Sequence, residues 1–279
     1  MTKQQVFLTL KDHSVSGEEF KLVYNSTYDL LETTPKPSPE ELPRYYQSED
    51  YISHTDASNG IFNKAYQFVK RHMLNKKIAL VKKYVSGGTL LDIGAGTGDF
   101  LATAKRENFK ITGVEPNSKA RSLAVKKNVD LLTTKDTIEQ PYDVITMWHV
   151  LEHLTDFMEE AKWLGNHVKT SGYLIIAVPN YKSYDAKKYK EHWAAYDVPR
   201  HVFHFSKKSI HKIFHHNGFD LLNVKPMWFD SFYVSILSEK YENNKLRFLR
   251  GFLTGVISNV SALFTKEASS HIYVLKKRN

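Results

Sequence analysis

Cysteine is absent from this 279-residue chain, which removes disulfides, thiolate zinc sites and a cysteine nucleophile without fixing the compartment. The first residues, MTKQQVFLTLKDHS, lack an apolar run of signal-peptide length. No stretch reads as long and apolar enough to span a bilayer, so a cytoplasmic protein without a transmembrane segment is expected. Acidic charge is scarce over most of the chain. Residues 61–279 carry 34 Lys/Arg against 20 Asp/Glu, a balance of +14, whereas residues 1–60 carry 5 against 10, a balance of −5. A basic body admits nucleic acid, anionic metabolites or lipids as partners. In KRHMLNKKIALVKK, however, the lysines fall at helical spacing opposite Met73, Leu74, Ile78 and Val81, and no aromatic platform is interleaved with them. A solvated helix face is expected there, and nucleic acid is not favoured. What is present, 42% hydrophobic and 25% charged residues, suffices for one main domain with appendages.

The most informative stretch is LLDIGAGTGDF, Leu90 to Phe100, with Gly94, Gly96 and Gly98 at alternate positions. A glycine-rich turn between a buried strand and a helix lets a ligand approach the backbone closely. Dinucleotide folds use G-x-G-x-x-G and leave the helix N-terminus for a pyrophosphate. Here the spacing is G-x-G-x-G and the next position is Asp99. An acidic first turn, with Asp92 ahead of the loop, disfavours phosphate and suits a ligand bearing a sulfonium and an ammonium. S-adenosylmethionine is such a ligand.

From Gly88 to Val178, TLLDI, KITGVE, YDVITMW and GYLIIAV read as buried strands, with FLATAKREN, SKARSLAVKKN and FMEEAKWLGNHV as helices between them. That alternation predicts a parallel sheet with helices on both faces and the glycine loop at its ligand-binding edge. GVEPN ends the second strand, and Glu115, 17 residues beyond Gly98, is placed to accept hydrogen bonds from ribose hydroxyls.

Together LLDIGAGTGDF, GVEPN and YDVITMWHVLEHLTD resemble, over roughly Phe62 to Val224, the class I S-adenosylmethionine-dependent methyltransferases. The resemblance implies a Rossmann-like α/β fold with a seven-stranded, mostly parallel sheet whose last strand, HIYVLKKR, is antiparallel. It implies S-adenosylmethionine as cofactor, held by Asp92, Gly94, Ala95, Gly96, Gly98, Glu115 and Pro116, with Trp148 and His149 lining the pocket. Bacterial relatives can carry a cysteine-stapled zinc hairpin ahead of this core. LVYNSTYDLLETTPKPSPEELPRYY resembles that region, yet Asn25, Ser26, Thr27 and Tyr28 stand at the cysteine positions, so packing of Phe20, Val23, Leu30 and Leu31 must order it. Pro35, Pro37, Pro39 and Pro43 then mark a linker, and the aromatic cluster Tyr45 to His54 reads equally as a packed linker helix or a lid. The expected division is 1–60 as appendage and linker, and 61–279 as the methyltransferase domain with a helical insertion at 239–267.

His149, Glu152 and His153 also spell H-x-x-E-H, a zinc-peptidase signature that requires a helix. Because His149 directly follows an apolar strand, no metal is expected. Beyond the fifth strand, Trp193 to His204 should be a loop, ended by Ser206 as the cap of a helix bearing Ile210, Ile213 and Phe214 and closing at Gly218. Within that loop, DVPRH offers His201 as general base, Asp197 as its orienting carboxylate and Arg200 to hold an anionic acceptor, unless Asp197 and Arg200 merely tie the loop down. The segment NNKLRFLRGFLTGVISNVSALF, with Lys245, Arg247 and Arg250 at its start, should pack on the core or a partner. A membrane surface or lipid-like substrate is the alternative. The expected function is methylation of a small-molecule acceptor, possible at O, N or C. The alternatives are an RNA methyltransferase, an NAD-dependent oxidoreductase and a non-catalytic cofactor-binding module.

Overall fold

The computed structural model describes residues 5–38, 40–46 and 61–279. The lid reading for the aromatic cluster therefore lies mostly outside the described residues, as does Pro39. The chain opens with three antiparallel strands, β1 (Val6–Lys11), β2 (Glu19–Asn25) and β3 (Leu30–Thr34). Phe20, Val23, Leu30 and Leu31 are buried as expected.

Helix α1 (Ile61–Lys82) leads into the main sheet, made of β4 (Gly88–Ile93), β5 (Phe109–Val114), β6 (Tyr142–Trp148), β7 (Val168–Pro179), β9 (Phe219–Pro226) and β10 (Ser270–Lys277). The strand order is β5-β4-β6-β7-β10-β9. Strands β4 to β7 pair in parallel, and β10 runs antiparallel to both β7 and β9. Leu90, Leu91, Val144, Ile145, Leu174 and Ile175 are fully enclosed, as a sheet covered on both faces requires. Helices α2 (Asp99–Arg106), α3 (Ser118–Val125), α4 (Phe157–His167) and α6 (Lys207–His216) form its cover. Six strands take the place of the expected seven. At the β5 edge, Leu132 makes a single parallel bridge with Val114, because the short stretch VDLL, broken by Asp130, runs directly into the polar TTKDT. Helix α6 is capped by Ser206 and Ser209 in a reciprocal capping box.

The N-terminal strands are not a detached appendage. Strand β8 (Phe203–His204), just beyond DVPRH, pairs with β3 and completes their sheet. Leu10, Phe20, Leu22, Leu31 and Tyr45 share a core with Tyr181, Trp193, Tyr196 and with Tyr189 of α5 (Tyr184–Tyr189). The expected loop from Trp193 to His204 is thus an enclosed segment, containing one 3-10 turn (Ala194–Tyr196) and β8.

The insertion between β9 and β10 is a helical hairpin that starts earlier than expected, α7 (Asp230–Tyr241) and α8 (Arg247–Thr265). Helix α8 corrects the expectation about membrane spans. It has 19 residues and a mean hydropathy of 1.3, long and apolar enough by length and composition, with 28% of that window buried. Arg247, Arg250 and scattered Gly, Ser and Asn disguise this in the linear sequence; on the helix, the small residues gather on the face turned to α7. A side chain at Gly251 would strike the Ile236 backbone at 2.6 Å, and one at Gly255 would strike Phe232 at 2.6 Å.

Candidate active site

Strand β4 runs straight into the glycine loop, where Gly94, Gly96 and Gly98 have φ of 70°, 54° and 74°. Each position serves a different need. A Cβ on Gly94 would overlap Val150 Cγ2 at 2.3 Å, so this glycine lets the loop press against the turn after β6. At Gly98 a Cβ would meet Ala124 at 2.9 Å, whereas at Gly96 it would meet nothing within 4 Å. Gly96 therefore faces open space, as close approach of a ligand demands. The Gly94 and Ala95 N–H groups donate to the Val114 carbonyl, which fastens the loop to β5. The Glu115 carboxylate accepts the Gly96 N–H at 2.9 Å and the Asn117 N–H at 2.8 Å, and its neighbour Pro116 lends its carbonyl to Arg121.

The charges below the loop differ from expectation. Burial raises the Asp99 carboxyl, but Lys70 at 2.8 Å, the Thr97 hydroxyl at 2.7 Å and Lys127 at 3.0 Å outweigh it and hold it ionised. Its charge is already balanced, so the buried carboxyl below the loop that bears on a ligand is Asp92. Asp92 is buried and accepts the Thr146 hydroxyl at 2.6 Å. Burial pushes it up to about 7, against Thr146 and Lys77. Lys77 does not sit on a solvated face: its ammonium lies 4.4 Å from the Trp148 ring, and burial lowers it against the pull of Asp92 and Asp230. The Trp148 indole N–H is buried without a hydrogen-bond partner among the described residues.

Beyond β6 the chain turns at His149, held at φ 59°. Its two ring nitrogens meet Glu152 at 3.2 Å and Asp230, the first residue of α7, at 3.1 Å. Burial opposes its charge, yet these carboxylates raise it to about 10, so the ring is an imidazolium at neutral pH. Residues Leu151–His153 form a single 3-10 turn, not the long helix a zinc peptidase needs. A different grouping forms instead. His153 and His201 meet edge to face at 4.5 Å, and one ligand atom each from Glu152, His153 and His201 lies within 4.8 Å of the others, a set able to hold a cation. The tautomers follow from hydrogen bonding. His153 Nδ1 faces the Arg200 carbonyl at 3.1 Å and His201 Nδ1 faces the Ala195 carbonyl at 2.9 Å. A carbonyl only accepts, so His201 Nδ1 carries a proton and the lone pair of its neutral tautomer lies on Nε2, whereas His153 Nδ1 also meets the Tyr46 hydroxyl at 3.2 Å. Burial, with His201 next, depresses His153 to about 4. Glu152 Oε2 is buried beside them without a hydrogen-bond partner among the described residues.

The DVPRH segment divides. His201 reaches the site, but its ring is oriented by the Ala195 carbonyl and not by Asp197. Asp197 instead grips Arg200 through two hydrogen bonds of 2.8 and 3.0 Å. Arg200, nearly inaccessible, also donates to Asp12 at 2.9 Å and to the Tyr45 carbonyl at 2.9 Å. It is fully engaged within the protein, so the expectation that it grips an anionic acceptor gives way to the structural role. Thr33 adds a further tie, donating to the His201 carbonyl at 2.7 Å and meeting His204 Nε2 at 3.1 Å. Sequence reasoning missed Asp12, Thr33, Lys77, Thr146 and Asp230. Of these only Thr146 lies in a motif, two positions ahead of Trp148 in YDVITMWHVLEHLTD, and it alone carried a signal.

Over residues 66–224, more than half its length, the sequence matches the family described as "Methyltransferase domain". The chain belongs to that family. S-adenosylmethionine is the family's cofactor, and solved neighbours share the class I sheet. Magnesium protoporphyrin IX methyltransferase from Synechocystis PCC 6803, with bound SAH, is 14% identical with a TM-score of 0.56, covering 85% of this chain and 99% of that one. The [4+2]-cyclase SpnF is 12% identical with a TM-score of 0.57, covering 87% and 97%. At such identities the likeness is one of fold. Among curated proteins, the ubiquinone biosynthesis O-methyltransferase of Serratia proteamaculans (strain 568) is 30% identical over 103 residues, 33% of this chain and 43% of the relative. Its namesake in Hydrogenovibrio crunogenus is 25% identical over 143 residues, 46% and 59%. The chain thus spans about half the length of the curated relatives it matches.

Open space at Gly96, the unpartnered Trp148 N–H and the buried Asp92 carboxylate fit a cofactor with polar groups and positive charge lying along the loop.

Proposed function

We propose that this chain methylates a hydroxyl of a small-molecule acceptor, with His201 Nε2 taking the hydroxyl proton. The observation that carries this reading is the His201 imidazole, whose Nδ1 is tied to the Ala195 carbonyl so that Nε2 is the nitrogen left to accept a proton, with His153 beside it. His153 sits on the turn that packs against the glycine loop through Gly94 and Val150, and His201, from the segment before β8, meets it edge to face at 4.5 Å. The O-methyltransferase names of the curated relatives support a hydroxyl acceptor. When bound, S-adenosylmethionine supplies an electrophilic methyl group on a sulfonium. The Gly94–Gly98 backbone with Ala95 would hold its aminoacyl end, Asp92 would face its positive charge, Glu115 and Pro116 its ribose, and Trp148 the pocket wall. His149, already bonded to Glu152 and Asp230, fixes the turn that carries His153. Positioning is the main need of a methyl displacement, and the base matters because a neutral hydroxyl must lose its proton.

Calorimetry with S-adenosylmethionine, S-adenosylhomocysteine and NAD tests the cofactor half. Tight binding of the first two and none of NAD is expected; the reverse would remove the proposal. His201→Ala should bind S-adenosylhomocysteine like the parent and lose about 10²–10⁴-fold in kcat on a phenolic or catecholic acceptor. Retained turnover would show that His201 is not the base.

A further inference from the structure

Helix α8 distributes its side chains in the reverse of a soluble surface helix. Its inner face is made of small and polar residues, Gly251, Thr254, Gly255, Ser258 and Ala262, all buried. Its outer face carries the bulk: Phe248, Leu249, Leu253, Ile257, Val260 and Phe264 are 48% to 81% exposed. Isolated exposed apolar residues are ordinary, but a continuous face along five turns marks an interaction surface. Small residues inward and large apolar residues outward is the arrangement used where the surroundings are lipid.

We propose that the outer face of α8 lies in the interface of an anionic lipid bilayer, parallel to its plane. The inner face excludes a spanning orientation. Ser258 donates to buried Asp185 at 2.7 Å, and Lys188 donates to Thr254 at 2.5 Å, so α8 is tied along its length to the folded body. Charge selects the occupant. Lys245 and Arg247 stand at one end and Lys266 at the other, with no Asp or Glu from 243 to 266, while Arg250 is turned to Glu239, 3.5 Å away. Cations flanking an apolar face match phosphate headgroups. A second copy fits poorly: two such faces packed antiparallel would bring Lys245 and Arg247 against Lys266 of the other chain, and Glu267 beside Lys266 is already paired with Lys207. Aromatic residues that favour the bilayer interface continue from α8 toward the site. Trp228 and Tyr233 are exposed, the Trp228 carbonyl accepts from Asn259 of α8 at 2.9 Å, and Asp230 contacts His149. The surface does not depend on which acceptor the site takes.

Flotation with vesicles of phosphatidylcholine, with and without 30 mol % phosphatidylglycerol (about a third of the headgroups, enough for a strong negative surface potential), tests this. The full chain should float with anionic vesicles, and much less with neutral ones or in high salt. Leu249→Glu/Leu253→Glu/Ile257→Glu should lose at least about tenfold in vesicle affinity while binding S-adenosylhomocysteine unchanged, since all three side chains point outward. Lys245→Gln/Arg247→Gln should weaken anionic binding alone. A parent chain that stays in the soluble fraction overturns the proposal. So does a dimer in size-exclusion chromatography that the triple variant dissociates without altering vesicle binding. Equal binding to neutral vesicles overturns the anionic assignment.

Discussion

Glu115 illustrates how one side chain joins local order to ligand chemistry. Its carboxylate already fixes the Gly96 and Asn117 N–H groups, and its remaining lone pairs are the ones the proposed function gives to a ribose. Glu115→Ala should weaken S-adenosylhomocysteine by about 1.5–3 kcal/mol, the usual worth of hydrogen bonds to a charged group. Calorimetry reads this directly, and a loss well under 1 kcal/mol on the order of a neutral bond would reduce Glu115 to a loop fastener. Asp92 makes a pH-dependent counterpart. Because burial holds its proton until about pH 7 in the free protein, a cationic ligand beside it must displace that proton. Affinity for S-adenosylmethionine should be level above pH 7 and fall by up to about tenfold per pH unit below it. Asp92→Asn should flatten the profile. A parent affinity that is constant from pH 6 to 8 would mean the ligand's charge lies elsewhere.

At the level of elements, the site depends on two junctions. The first is the β3–β8 pairing, which carries the DVPRH segment under the N-terminal sheet and is pinned by Thr33. Thr33→Val removes a buried hydroxyl that serves both the His201 carbonyl and His204 Nε2. A loss of about 1–3 kcal/mol in denaturant unfolding is expected, since a buried carbonyl is left unpaired. Rescue by Thr33→Ser would separate this from a packing effect. The second junction is the α7–α8 contact, where glycine allows the helices to approach to backbone distance. Gly255→Val would drive a branched side chain into Phe232 and should cost about 1–3 kcal/mol as overpacking. An unchanged melting transition would mean that the hairpin is not held by this contact.

For the molecule as a whole, buried ion pairs set the pH range of stability. His149 titrates higher in the folded chain than unfolded, so its stabilisation is complete below pH 6.5 and is lost as pH rises toward about 10. Asp12, Asp29, Asp197 and Glu152 are lowered despite burial, by Arg200, by Lys182 and Ser206, by Arg200 and His201, and by His149 respectively. Their contribution is present above the ordinary carboxylate range and disappears as pH falls below it. The melting temperature should therefore fall as pH drops below about 6.5, where His153 and His271, both depressed to about 4 by burial, must take up protons on unfolding, and the change from pH 7 toward 10 should differ in His149→Gln, which lacks the alkaline loss. An identical alkaline slope in that variant would show that the Asp230–His149–Glu152 bridge adds nothing to stability.

The sequence by itself determined the sheet, the glycine loop, the Ser206 cap and the family, because these rest on short-range patterns: alternating apolar runs, glycine where φ must be positive, and an acid at a strand end. It also pointed to His201. The partners of each charged group were not legible, because ion pairing is decided by residues far apart in the chain. Arg200 meets Asp12 across 188 positions, and Lys77 turns inward to Asp92 and Trp148 although its spacing reads as a solvated face. Only the tertiary structure decided that Asp197 and Arg200 fasten the loop, that Asp230 completes the site, and that α8 shows its bulky face to the outside. Each outcome depends on which surfaces packing leaves uncovered, and that is a property of the folded chain, not of any segment.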